Sequence, residues 1–151
     1  MARMSITFNG FEKLAAELDR QGKELKPAVN EVLEETQKYI QQNLEEAVQP
    51  YTNGGRKGYA TGEMYSAILR EPKIEWSGNV ANVKVGFSKD LSWKGFMHSI
   101  FVMYGVPAHG KFNKGYTKDA KVYNAIRGIR TKKHIEDMQK EIMEKHLKSG
   151  R

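Results

Sequence analysis

The chain has 151 residues, of which 39% are apolar and 28% charged, and a net charge of +7. That suits one domain with a small core carrying long polar helices or loops. It contains no cysteine, which excludes disulfides, thiolate metal sites and cysteine nucleophiles and points to a reducing compartment. No apolar run approaches the ~20 residues of a membrane-spanning helix, and the opening "MARMSITFNG" lacks a signal-peptide core. A product made in the cytosol, with no membrane partner, is expected.

In chain order, Met4, Ile6 and Phe8 alternate with polar residues, which predicts a short half-buried strand closed by the Asn9-Gly10 turn. Phe11, Leu14, Ala15, Leu18 and Leu25 recur at roughly helical spacing, predicting an amphipathic helix over about Phe11–Glu24. Pro27 suits the first turn of a second helix. Val29, Val32, Leu33, Ile40, Leu44, Ala47 and Val48 share one stripe of it, and it ends before Pro50. At ~1.5 Å per residue, roughly 22 residues span about 33 Å, making this helix the spine of the expected fold.

"QPYTNGGRKGYATGEMY" follows, with four glycines between Gly54 and Gly62. It reads as a flexible loop over about 49–65. It is not a phosphate-binding P-loop, because it leaves a helix and no Gly-Lys-Ser/Thr follows. Ser66–Leu69 should begin extended structure. A hairpin is predicted next, with Ile74 and Trp76 on one arm, a turn at Ser77-Gly78-Asn79, and Val80, Val83, Val85 and Phe87 running back. "SIFVMYG" reads as a strand whose near-continuous apolar run implies burial on both faces, one of them against a neighbouring subunit. A glycine- and lysine-rich flap over about 107–117 hangs from it. Val122, Tyr123, Ala125 and Ile126 predict a helix before Gly128, and Thr131 is a plausible N-cap for a last helix. That helix would bury Ile135, Met138, Ile142, Met143 and Leu147. The expected class is α+β: long N-terminal amphipathic helices packed on a small, mainly antiparallel sheet, with C-terminal helices, in a single domain over 1–151.

Charge is unevenly spread. Residues 1–50 carry six Lys/Arg against nine Asp/Glu, and residues 51–151 carry nineteen against nine. The basic segment between His109 and Lys133 is interleaved with Phe112, Tyr116 and Tyr123. Three readings are open: a solvated loop and helix end, a face that meets an acidic protein, or a nucleic-acid surface in which aromatics stack on bases and lysines follow phosphates. No helix-turn-helix, RNP or KH signature accompanies it. Catalytic and cofactor patterns are missing too. His98, His109, His134 and His146 form no metal-ligand spacing, and "VGFSKD" is not a Gly-x-Ser-x-Gly elbow. Glu34-Glu35 and Glu45-Glu46 read as solvent-facing charges on a helix. The chain is expected to be non-enzymatic, with no cofactor and no metal.

Two short stretches carry a resemblance. "YATGEMYSAI" resembles a Thr-Gly-x-(Leu/Met)-x-x-Ser-Ile signature, and "SIFVMYGVPAHG" resembles a segment ending in (Tyr/Phe)-Gly-Thr-Pro, with Val106 in place of the threonine. With the opening strand and helix, the long helix, the hairpin and "VYNAIRGIRTKKHIEDMQKEI", the ordered set over roughly residues 4–147 resembles the tail-component family of long-tailed bacteriophages and prophages. These are minor tail or tail-completion proteins akin to the lambda minor tail protein Z. The resemblance implies a structural virion protein that completes the tail or joins tail to head as a homo-oligomeric ring. Its implied partners are copies of itself and neighbouring neck and tail proteins, with non-specific DNA contact open. The assembly interface would then involve Tyr59, Thr61, Gly62, Met103, Tyr104, Gly105 and Pro107, together with Lys111, Lys114, Lys118 and Lys121.

Overall fold

The computed structural model describes residues 16, 20, 25–52, 61–77, 80–108, 115 and 117–149. The strand expected at Met4–Phe8 and most of the helix expected over Phe11–Glu24 lie outside the described residues, although Ala16 and Arg20 have helical backbone.

Helix α1, Leu25–Ala47, is the predicted spine, with Pro27 in its first described turn. Ala28, Val32, Leu33, Ile40, Leu44 and Ala47 are buried along it, with Val48 just beyond its end. Thr36 and Gln37 interrupt that stripe and are buried as well. Both are satisfied: the Thr36 hydroxyl donates to Val32 O at 2.7 Å, and Gln37 Nε2 donates to Leu69 O at 2.8 Å. Pro50 stands in a 3-10 turn, Gln49–Tyr51, that stops the helix. The Glu45-Glu46 pair splits. Glu46 is exposed, whereas Glu45 accepts from Arg70 Nε at 3.1 Å and is not the free solvent-facing charge expected.

Helix α2, Glu63–Ser66, is a single turn at the end of the expected loop, running into Ser66 where extended chain was expected to begin. Extended pairing starts two residues later: Ile68 bridges Phe87, and Ser88 N–H donates to Ala67 O at 2.7 Å. The hairpin is present as β1, Ile74–Ser77, antiparallel to β2, Val80–Val83, with Ile74 opposite Val83 and Trp76 opposite Ala81. Trp76 Nε1 donates to Asn30 Oδ1 at 3.0 Å, which anchors the hairpin on the first half of α1.

The expected strand "SIFVMYG" is a helix. α3 runs Trp93–Tyr104, and the Ser92 side chain caps it by accepting from Gly95 N–H. Its buried face is Gly95, Ser99, Val102 and Met103, spaced i, i+4, i+7 and i+8 as a helix requires. Two of those four are Gly and Ser, which carry no hydrophobic signal, so the inner face merged with the continuous apolar run Ile100–Tyr104 and its helical period was hidden. Gly95 is obligatory: a β-carbon there would stand 2.0 Å from Glu63 O, so α3 lies directly on the α2 backbone.

Helix α4, Ala120–Arg127, is capped by Asp119, whose carboxylate accepts from Lys121 N–H. Helix α5, Ile129–Lys148, begins at once after Gly128. Thr131 is therefore not its N-cap. It sits inside the first turn and donates from Oγ1 to Asn124 O at 2.6 Å. The buried stripe of α5 is Thr131, Ile135, Gln139 and Met143, while Met138, Ile142 and Leu147 of the expected stripe are half-buried. Gln139 Nε2 donates to Thr36 Oγ1 at 2.9 Å across the α1–α5 contact. Ile40, Leu44, Met64, Ile68, Val122, Ile126 and Ile135 meet in one core cluster, and Ala28, Val32 and Met143 in a smaller one. The class is α+β, as expected, with helices dominating a small antiparallel hairpin. Among the described residues, no helix is long and apolar enough to cross a membrane.

Candidate functional site

Helix α3 has a second apolar stripe. Trp93, Met97, Ile100, Phe101 and Tyr104 stand at helical spacing on the side away from the core. Trp93 is 61% exposed, Phe101 43% and Tyr104 51%, with Met97 and Ile100 half-buried. Scattered exposed apolar residues are ordinary, but a continuous stripe along three turns of one helix is a candidate interaction surface. The burial on two faces read from the sequence holds for only one face of the single subunit.

Two glycines bound this helix and its neighbour. Gly62 precedes α2 with φ +77, and its N–H donates to Tyr51 O at 3.2 Å. A β-carbon at Gly62 would meet nothing within 4 Å, so the left-handed conformation alone demands glycine. Gly105 ends α3 with φ +75, its N–H donating to Phe101 O. That left-handed φ is one that side chains resist, and it stands at a helix end where the sequence predicts a strand end. Thr61 Oγ1 accepts from Glu63 N–H at 3.4 Å.

The two loop stems are tied together by side chains distant in sequence. The Tyr51 hydroxyl donates to Asp119 Oδ2 at 2.6 Å. Burial first, and then the Asp119 carboxylate, raises the Tyr51 phenol above its ordinary range, so it stays protonated and keeps donating. His98 meets the edge of the Tyr51 ring at 5.7 Å between centroids. Burial lowers the His98 imidazole, against an opposing pull from the Glu63 charge. Both Asp119 oxygens are engaged, Oδ1 on Lys121 N–H and Oδ2 on Tyr51. The arrangement is a clamp joining the end of α1 to the start of α4. Among the described residues, no group of three or more His, Asp or Glu side chains could hold a metal ion.

The flap stem is pinched. Gly115, at φ +71, lies so close to Val106–Ala108 that a β-carbon would be 2.2 Å from Val106 O. Pro107 is exposed on that stem. Lys118 Nζ stands 4.6 Å above the Tyr123 ring, whose edge meets Tyr104 at 6.1 Å between centroids. Lys121 is exposed one turn away.

Of the residues assigned to an assembly interface, Tyr104, Gly105, Pro107, Lys118 and Lys121 therefore gather around the end of α3. Thr61 and Gly62 lie near its start. Met103 is buried and faces inward. Tyr59, Lys111 and Lys114 lie outside the described residues. Sequence reasoning missed Trp93, Met97 and Phe101, whose four-residue spacing was readable once the segment is taken as helix. It also missed the Tyr51–Asp119 clamp, where 68 residues of separation leave no local signal. No family model, no curated protein and no solved structure matches this chain.

Proposed function

We propose that the chain is a non-enzymatic structural subunit of a long-tailed phage or prophage virion, completing the tail or joining tail to head as a homo-oligomeric ring. The observation that carries the reading is the exposed apolar stripe of α3. A subunit that worked alone would leave this surface in water at a cost of about 25 cal/mol for each Å² it could otherwise bury. The resemblance adds weight, because its two glycine-bearing motifs fall at Gly62 and Gly105, the positive-φ residues that bound the α2–α3 pair. The stripe would pack on neighbouring copies. Lys118 and Lys121, beside it, would orient assembly against acidic neck or tail proteins more than they stabilise it, since exposed pairs contribute ~0–1 kcal/mol each. The experiment is deletion of the gene in its phage or prophage: separate filled heads and tails support the joining role, and normal infectious particles refute it.

A second reading, non-specific DNA contact, draws on one feature. Arg130 and Lys132 are exposed in the first turn of α5, which has no acidic residue, and Lys133 is exposed just after it. Positive charge there opposes the helix macrodipole, and an anionic partner would relieve that conflict. Binding to duplex DNA that weakens steeply with salt would favour it.

A further inference from the structure

We propose that a cleft beside Arg127 is a socket for Leu91 of a second copy of this chain, with Asp90 of that copy pairing to the Arg127 guanidinium. The inference rests on the self-assembly reading above and specifies one contact within it.

The cleft lies between Phe87, the α3 residues Phe96, Ile100 and Tyr104, and the Ile126–Arg127 end of α4, and encloses about 180 Å³. Small-molecule sites run to ~300–1,000 Å³, whereas a cavity of ~150 Å³ accepts a single benzene ring. This volume therefore fits one apolar side chain and not a cofactor. Arg127 gives the cleft a polar demand, because its Nε is buried with no hydrogen-bond partner. An unsatisfied donor on a charged group is costly. Its Nε–Nη edge is the one that pairs bidentately with carboxylates. The cleft wall covers Nε in the free subunit, so an entering carboxylate must draw the guanidinium forward.

The occupant should present an apolar side chain next to a carboxylate. Among the described residues, the exposed large apolar side chains are Leu91, Trp93, Phe101, Tyr104 and Ile129. Only Leu91 has an acidic neighbour, Asp90. Ile129, the most exposed, is followed by Arg130 and would bring a like charge to Arg127. Leu91 is 54% exposed, so it does not fill its own subunit's cleft. Asp90 is exposed and makes no ion pair among the described residues. The turn that holds them is already set: Ser88 Oγ accepts from Asp90 N–H at 3.2 Å, and Ser88 O accepts from Ser92 N–H. Little ordering remains to be done on docking. The projecting turn and the cleft share no residue, and on the ring reading the contact is heterologous, repeating head to tail and closing when the rotation per subunit allows.

The chain has no cysteine, so a disulfide can report the contact without background from native thiols. Leu91→Cys in one preparation and Ile100→Cys in another are mixed and oxidised. A bond requires the two Cα atoms within ~7 Å. The expected yield is at least tenfold above that of Leu91→Cys mixed with Glu46→Cys, placed on the exposed face of α1. Adding Arg127→Glu to the Ile100→Cys chain should cut the yield by about tenfold. Asp90→Lys in the Leu91→Cys chain, on an exposed turn where the fold is not at stake, should do the same. The two charge reversals together should restore cross-linking. Yields equal to the Glu46→Cys control, or indifferent to both reversals, overturn the socket. Incorporation into particles is a separate readout: a chain that rescues its gene deletion yet gives no specific cross-link overturns the socket alone.

Discussion

The α1–α5 contact and the outer face of α3 are both helical surfaces with apolar residues at helical spacing, yet only the first is filled. Between α1 and α5, Met143 packs on Ala28 and Val32, and the buried polar pair there is joined: Thr36 donates to its own helix and accepts from Gln139. On α3, Trp93, Phe101 and Tyr104 stay exposed, and the edge contact of Tyr104 with Tyr123 covers it only in part. The difference separates two uses of amphipathicity. A stripe met by another helix of the same chain contributes to folding, whereas a stripe left open after the fold is complete is available to a partner. Substitutions on the first should therefore cost stability, and substitutions on the second should cost assembly.

The largest contrast is between Leu44 and Phe101. Leu44 is fully buried, so Leu44→Ala should cost about 2–5 kcal/mol. Phe101→Ala should change the stability of the isolated subunit by no more than ~0.5 kcal/mol. Urea denaturation of both variants checks this, and similar losses would erase the distinction. The same helix can be broken from its inner side. Gly95→Ala puts a methyl group 2.0 Å from Glu63 O, and such overpacking costs about 1–3 kcal/mol; an unchanged denaturation midpoint would show that α3 does not lie on α2 as described.

Smaller effects sharpen the spine. Glu45→Ala should destabilise by more than Glu46→Ala, because only Glu45 meets Arg70, but by less than ~1 kcal/mol since the pair is partly solvated. Equal midpoints would return Glu45 to the class of free surface charges. Smaller still is a change in slope. Burial lowers the His98 imidazole, so its contribution is present above the ordinary imidazole pKa of 6.5. It is lost as the pH falls through the folded-state value, because the unfolded chain takes up the proton first. His98→Gln should flatten stability against pH below about 6.5, measured by urea titration at stepped pH. A slope identical to the wild type's would place the pH response elsewhere.

The spine was readable because Val32, Ile40, Leu44 and Val48 keep one phase over many turns, and the hairpin because Ile74 and Trp76 alternate ahead of a Ser-Gly-Asn turn. Helix α3 was not readable, since its inner face is marked by Gly95 and Ser99, which signal close approach only when the neighbouring backbone is known. The β-branched and aromatic run Ile100–Tyr104 then imitated a buried strand. Thr131 looked like a cap because Gly128 already breaks the chain before it, and the hydroxyl instead bridges α4 and α5. Within the candidate site, Gly62 and Gly105 stood out as members of the two motifs that carry the resemblance. The clamp of Tyr51 on Asp119 depends on tertiary proximity alone.

The most direct test of the account is a charge placed on the open stripe. Phe101→Asp should leave the purified subunit folded, with a denaturation midpoint near that of the wild type, and should fail to rescue infectious particles in a strain lacking the gene. Wild-type particle yields from a folded Phe101→Asp subunit would contradict the claim that this face of α3 is an assembly surface. An unfolded variant would contradict it from the other side, by assigning the stripe to the fold.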